Sequence, residues 1–171
     1  CNLMDLAQLI DKARTSKFYL WLLNRGLARK IPFNQPHKFE VVEIGEYSVK
    51  TRLPFRRKNL NHIRGLHACA LATISEFTTG LTLLVHLDPS KYRIILKTLE
   101  MEYHYQGKTD VHAAFEVSQE WLEEYIYVPL QNQEAVVVTC EVKTFNTQNE
   151  HISTGKVHWQ VKSWNKVRTK I

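Results

Sequence analysis

The sequence predicts an α+β domain in which one long apolar helix is wrapped by an antiparallel β-sheet, preceded by a helical extension. Three observations carry this prediction. Apolar side chains cover most of the helical circumference between Leu66 and Leu87, and a helix so coated must be enclosed. Downstream, apolar residues recur at every second position in runs joined by tight turns, which favours antiparallel pairing because parallel neighbours need long crossovers. Upstream of Pro32 the period is helical instead.

In chain order, Asn2 to Lys30 reads as helical: Leu3, Leu6, Leu9, Ile10 and Ala13, then Phe18, Leu20, Trp21, Leu22, Leu23 and Leu27, mix spacings of three and four. Ser16 interrupts this run as the cap of a second helix, and Gly26 and Pro32 end it. From Phe39 the period changes, and Tyr47, Val49, Thr51 and Leu53 alternate with polar partners as one half-buried strand closed by Pro54. A polar, basic loop turning at Gly65 then feeds the long helix, which Asp88-Pro89 ends. Strands follow over Ile94 to Tyr105, Val111 to Val117, Ala135 to Phe145 and Ile152 to Trp164, with a short helical piece from Glu120 to Tyr127. The chain is expected to form one domain over residues 1–171, an extension at 1–32 and a core at 39–164.

Composition narrows the function. With 171 residues, 44% hydrophobic and 23% charged side chains, there is room for one proper core and no mark of wholesale disorder. The net charge of +6 invites a polyanionic partner: nucleic acid, an acidic membrane surface or a phosphate-bearing ligand. The basic residues look spread out, their main cluster being Arg52, Arg56, Arg57, Lys58 and Arg64 just before the helix. Three cysteines without a CxxC pair, Cys1, Cys69 and Cys140, suggest neither a disulfide framework nor a zinc site, and Cys69 reads as a buried, inert thiol. The eight histidines show no HxxxH or HExxH spacing, so no metal is expected. No signal-peptide pattern and no uninterrupted apolar run near the roughly 18 residues of a membrane helix is present. No RNA- or DNA-binding motif accompanies the basic cluster. A cytoplasmic protein with no nucleic-acid and no membrane partner is therefore expected.

The chemistry-bearing stretch is Asn61 to Glu76. On the helical wheel Ser75, Thr78, Thr79, Thr82 and His86 gather as a polar arc, with Glu76 at its edge. A lone carboxylate on an apolar helix either reaches water or carries chemistry, because an unpaired buried charge is costly. His67 and Glu76 are nine residues apart, about 13.5 Å along a helix and roughly half a turn out of phase, so they cannot meet within one chain. A two-fold-related copy running antiparallel brings Glu76 of one subunit beside His67 of the other. The free N–H groups of the helix start then face a carboxylate able to act as base or nucleophile, which are the parts of an oxyanion hole and its partner.

Asn61-His62-Ile63-Arg64-Gly65-Leu66-His67-Ala68, followed by Glu76 and Gly80, resembles the signature of the hotdog-fold thioesterases, particularly the phenylacetate-pathway (PaaI-like) type. That signature has an Asn six residues before a His-Gly-Gly at the start of the central helix, and an Asp or Glu nine residues after the His. The resemblance covers roughly Phe39 to Trp164 and implies an acyl-CoA thioesterase acting as a homodimer or a dimer of dimers. It implies Glu76 as base or nucleophile, with Asn61 and His67 holding the loop and the thioester in register. Gly65, Leu66, Ala68 and Thr79 then line the substrate, and Arg56, Arg57 and Lys58 attract the phosphates of coenzyme A. No separate cofactor is implied, since coenzyme A arrives as part of the substrate. The chain departs from the pattern where Gly-Gly becomes Ala68-Cys69, which keeps a non-catalytic acyl-CoA-binding module of the same fold as the alternative.

Overall fold

A computed structural model describes residues 6–167, so Cys1 and the expected helical start at Asn2 lie outside the described residues. Helices α1 (Leu6–Ala13) and α2 (Lys17–Lys30) form the extension and bury Ile10, Ala13 and Leu23. A 3-10 turn, Pro32–His37, leads into β1 (Glu40–Ile44) and β2 (Ser48–Leu53). Then come α3 (Ala68–His86), β3 (Tyr92–Tyr103), β4 (Val111–Glu116), a helical segment over 119–132, β5 (Ala135–Asn146) and β6 (His151–Ser163). All strand pairs are antiparallel, in the order β1-β2-β4-β5-β6-β3, and α3 packs on the inner face of this six-stranded sheet. This is the hotdog fold.

Two strands, rather than one, precede the central helix. Glu40-Val41-Val42-Glu43 does not alternate, because β1 is a short edge strand with a bulge between Val41 and Glu43. Its outer edge is closed by Asn24 of α2, whose Nδ2 donates to the Val41 carbonyl (2.9 Å) and whose Oδ1 accepts from the Val41 N–H (2.8 Å). Here a side-chain amide substitutes for a neighbouring strand, which prevents edge pairing.

The polar arc of α3 faces inward. Ser75, Thr78, Thr79 and Thr82 are all fully buried, and each hydroxyl donates to the carbonyl one turn back, at 2.9, 2.6, 3.0 and 2.8 Å. Satisfying the hydroxyls inside the helix leaves a face of small side chains that brings α3 close to the sheet. A Cβ on Gly80 would lie 2.7 Å from Cζ2 of Trp159, and one on Gly155 would lie 3.0 Å from both Ser75 Cβ and Met101 Sδ. Among the described residues one helix, α3, is long and apolar enough by length and composition to pass for a membrane span, yet most of it is buried, as the core helix of a wrapped fold is.

The helix also begins two residues later than its apolar pattern. Leu66 N–H donates to the Gly107 carbonyl and His67 N–H to the Asn59 carbonyl, both at 2.8 Å, so both residues are held extended. The turn before them is made by Arg64, at φ 60°, and not by Gly65.

Candidate active site

The loop ahead of α3 is built on two asparagines. Asn59 is buried: its Nδ2 donates to the carbonyls of His37 and Pro54 (2.9 Å each), its Oδ1 meets His37 Nδ1 (2.9 Å), and its own carbonyl accepts from His67. It fastens the extension, the loop and the helix start together. Sequence reading missed it; its only trace there is an Asn two residues before Asn61. Asn61 organises the tip, accepting from the N–H of Ile63 (3.1 Å) and Gly65 (3.0 Å) through Oδ1, while its N–H donates to the Gly65 carbonyl.

His67 is the N-cap of α3, its Nδ1 accepting from the Cys69 N–H at 3.0 Å. That bond and the His67–Asn59 bond occupy two of the N–H groups at the helix start. The Ala68 N–H has no acceptor among the described residues, and it sits at the positive end of the helix dipole. Tyr103, at the end of β3, donates its hydroxyl to the Ala68 carbonyl (3.1 Å) and so braces this turn against the sheet edge.

Glu76 lies two turns further along α3, in a cleft of about 210 Å³. The cleft is lined mainly by apolar side chains of three origins: Leu27 and Ile31 of the extension, Phe77 and Leu84 of α3, and Ile94 and Trp159 of the sheet. Burial among them raises the Glu76 carboxyl above its ordinary value of 4.5, and no cation pairs with it among the described residues. A half-buried carboxylate kept basic by desolvation is suited to take a proton or attack a carbonyl. Within one chain it does not meet His67; the stripe of α3 that links them runs through Ala68, Cys69, Ala72 and Thr73, all small, the first two exposed and the last two half-buried.

Other expected site residues fall elsewhere. Thr79 is fully buried with its hydroxyl accepting from Trp159 Nε1 (3.0 Å), so it ties helix to sheet. Leu66 is buried under Gly107, and Gly65 is buried against the Gln106 side chain, so both shape the loop from beneath. Arg57 and Lys58 are exposed and Arg56 half-buried, on the 3-10 turn Arg57–Asn59. Arg52, counted with them, is instead held by Glu40 and Asp110, which raise its pKa. Cys69 is exposed, whereas Cys140 is buried and pushed up to about 12 by desolvation. Among the described residues no three His, Cys, Asp or Glu side chains converge on a metal position.

A family model described as "Domain of unknown function (DUF4442)" matches residues 20–161. No curated protein matches the chain. Solved structures share the fold. A Pseudomonas aeruginosa protein described as a probable thioesterase superposes with a TM-score of 0.76 at 22% identity, over 84% of this chain and 95% of its own. A Haemophilus influenzae thioesterase gives 0.67 at 12% identity over 88% and 95%. A Staphylococcus aureus thioesterase variant gives 0.62 at 14% over 77% and 98%.

Proposed function

The chain belongs to the DUF4442 family, and we propose that it hydrolyses acyl-CoA thioesters at a site shared between two subunits. The observation that carries the reading is Glu76, a carboxylate with a raised pKa in an apolar cleft and no ion partner among the described residues, on the helix at whose start the Ala68 N–H has no acceptor among them. The names of the structural relatives support the same chemistry.

The acting unit is a homodimer or a pair of dimers. One sheet edge is closed by Asn24, but the other, β3, is twelve residues long and open, with Ile95 and Leu96 outward. An open apolar edge invites a strand from a second copy, and the small-residue stripe of α3 lets a second α3 approach closely. Glu76 then faces the Ala68 N–H of the neighbouring subunit. The carboxylate takes a proton from water, the resulting hydroxide attacks the thioester carbonyl, and the Ala68 N–H holds the oxyanion. Collapse breaks the C–S bond, and the proton on Glu76 passes to the departing thiolate. Arg56, Arg57 and Lys58 attract the coenzyme A phosphates.

The alternative, an acyl-CoA-binding module, has its own support: Ala68-Cys69 replaces Gly-Gly, and the His67 cap leaves only one donor for an oxyanion. Two variants decide. Glu76→Gln removes the base, and Ala68→Pro removes the free N–H at a position where proline suits a helix start. Each alone should lose hydrolysis, and mixing them should restore part of it, because a mixed dimer carries one intact site. A wild type that binds acyl-CoA yet hydrolyses none of a broad panel decides for the binding module.

A further inference from the structure

The net charge of this chain resides in one place. Residues 12–39 carry seven Lys or Arg and no Asp or Glu; of 23 basic and 17 acidic side chains in all, 16 and 17 are left to the rest of the chain. The basic residues are spread along the chain as expected, but their excess over acidic ones is not: the extension is the basic part, and the rest is nearly neutral.

On α2, Lys17, Phe18, Trp21, Arg25 and Arg29 fall within about 120° of the wheel, opposite the buried Leu23. Phe18 is 63% and Trp21 51% exposed, and Phe33, just beyond the helix, is 66% exposed. Among the described residues none of Lys17, Arg25, Arg29 and Lys30 has an acidic partner. Exposed Phe and Trp rings set among basic side chains make a surface patch suited to an anionic membrane, the cations meeting anionic lipid and the amphipathic rings the headgroup boundary.

We propose that the α2 face docks on an anionic membrane surface, contrary to the expectation of no membrane partner. A second copy is disfavoured there, since a two-fold contact sets the basic stripe against itself. Nucleic acid is disfavoured because the rings are not free platforms for bases: Phe18 stacks on Trp21 (6.0 Å) and Arg25 covers Trp21 (5.1 Å). The surface adjoins the Glu76 cleft, for Trp21 and Arg25 line a neighbouring groove that shares Leu27, Asn34 and Phe77 with it. Docking does not depend on the thioesterase reading.

The test is co-sedimentation with vesicles of phosphatidylcholine alone or with about one-third phosphatidylserine, at about 0.1 M salt. The protein should sediment with the anionic vesicles only. Arg25→Ala with Arg29→Ala should weaken binding about 25-fold, at about fivefold per charge. Phe18→Ser with Trp21→Ser should weaken it at least about tenfold with the charge unchanged. All four side chains are exposed on the helix surface, so the variants should fold, which thermal melts would check. No sedimentation with anionic vesicles, binding indifferent to both variants, or tighter binding to a single-stranded oligonucleotide than to the vesicles overturns the proposal.

Discussion

Two faces of α3 place polar atoms against the body of the protein in opposite ways. Toward the sheet, the hydroxyls of Ser75, Thr78, Thr79 and Thr82 are buried and each is bonded to its own helix. Away from it, Glu76 meets an apolar cleft with no ion-pair partner among the described residues, and its carboxyl is raised by that burial. The first face is finished and serves packing; the second holds a carboxylate perturbed by desolvation, and perturbed titratable groups in clefts are where chemistry is found. Disturbing the first face should therefore cost stability, and disturbing the second should cost activity.

The largest effect belongs to the second face. Glu76→Gln should lower kcat by about 10²–10⁴, roughly 3–5 kcal/mol of barrier, in an acyl-CoA hydrolysis assay. The pH dependence follows from the direction of the shift. Because the folded-state pKa lies above the unfolded one, ionising Glu76 opposes folding, and its stabilising contribution is present at low pH and lost as pH rises through the folded value. Glu76→Gln should hence melt higher than wild type at neutral pH, with the gap closing below the ordinary carboxylate value. Activity should run the other way, falling as acid titrates the base at a pH above 4.5. A variant that melts lower at neutral pH would return Glu76 to a structural role.

Gly155→Val comes next. Its Cβ already meets Ser75 and Met101 at 3.0 Å, and two further methyls must push α3 from the sheet, costing about 2–3 kcal/mol by denaturant titration. Thr79→Val should cost about 1–3 kcal/mol, since it orphans the buried Trp159 N–H, and should leave kcat near wild type. Activity lost with Thr79 at unchanged stability would break the division between the faces. The smallest effect is at the rim: Arg56→Ala with Arg57→Ala should raise KM by an amount worth about 0.2–1 kcal/mol per contact, and the effect should fade as salt rises.

Much of this molecule was legible in the sequence because periodicity reports burial directly. The alternation of Val157, Trp159 and Val161 with polar partners in β6 and the apolar coat of α3 are properties of the chain itself, and they give the fold class. What escaped depends on partners far along the chain. The wheel groups Ser75, Thr78, Thr79 and Thr82 without telling water from sheet, and only Gly155 and Trp159, some 80 residues on, turn that arc inward. Asn59 is an ordinary polar loop residue until His37, Pro54 and His67 converge on it. β1 was hidden because an edge strand pairs on one side only and has no need to alternate, its other side being closed by an amide from α2. Local pattern settles the period and so the type of each element; which faces leave water and which neighbours receive them is a tertiary property, because those contacts form only when distant segments meet.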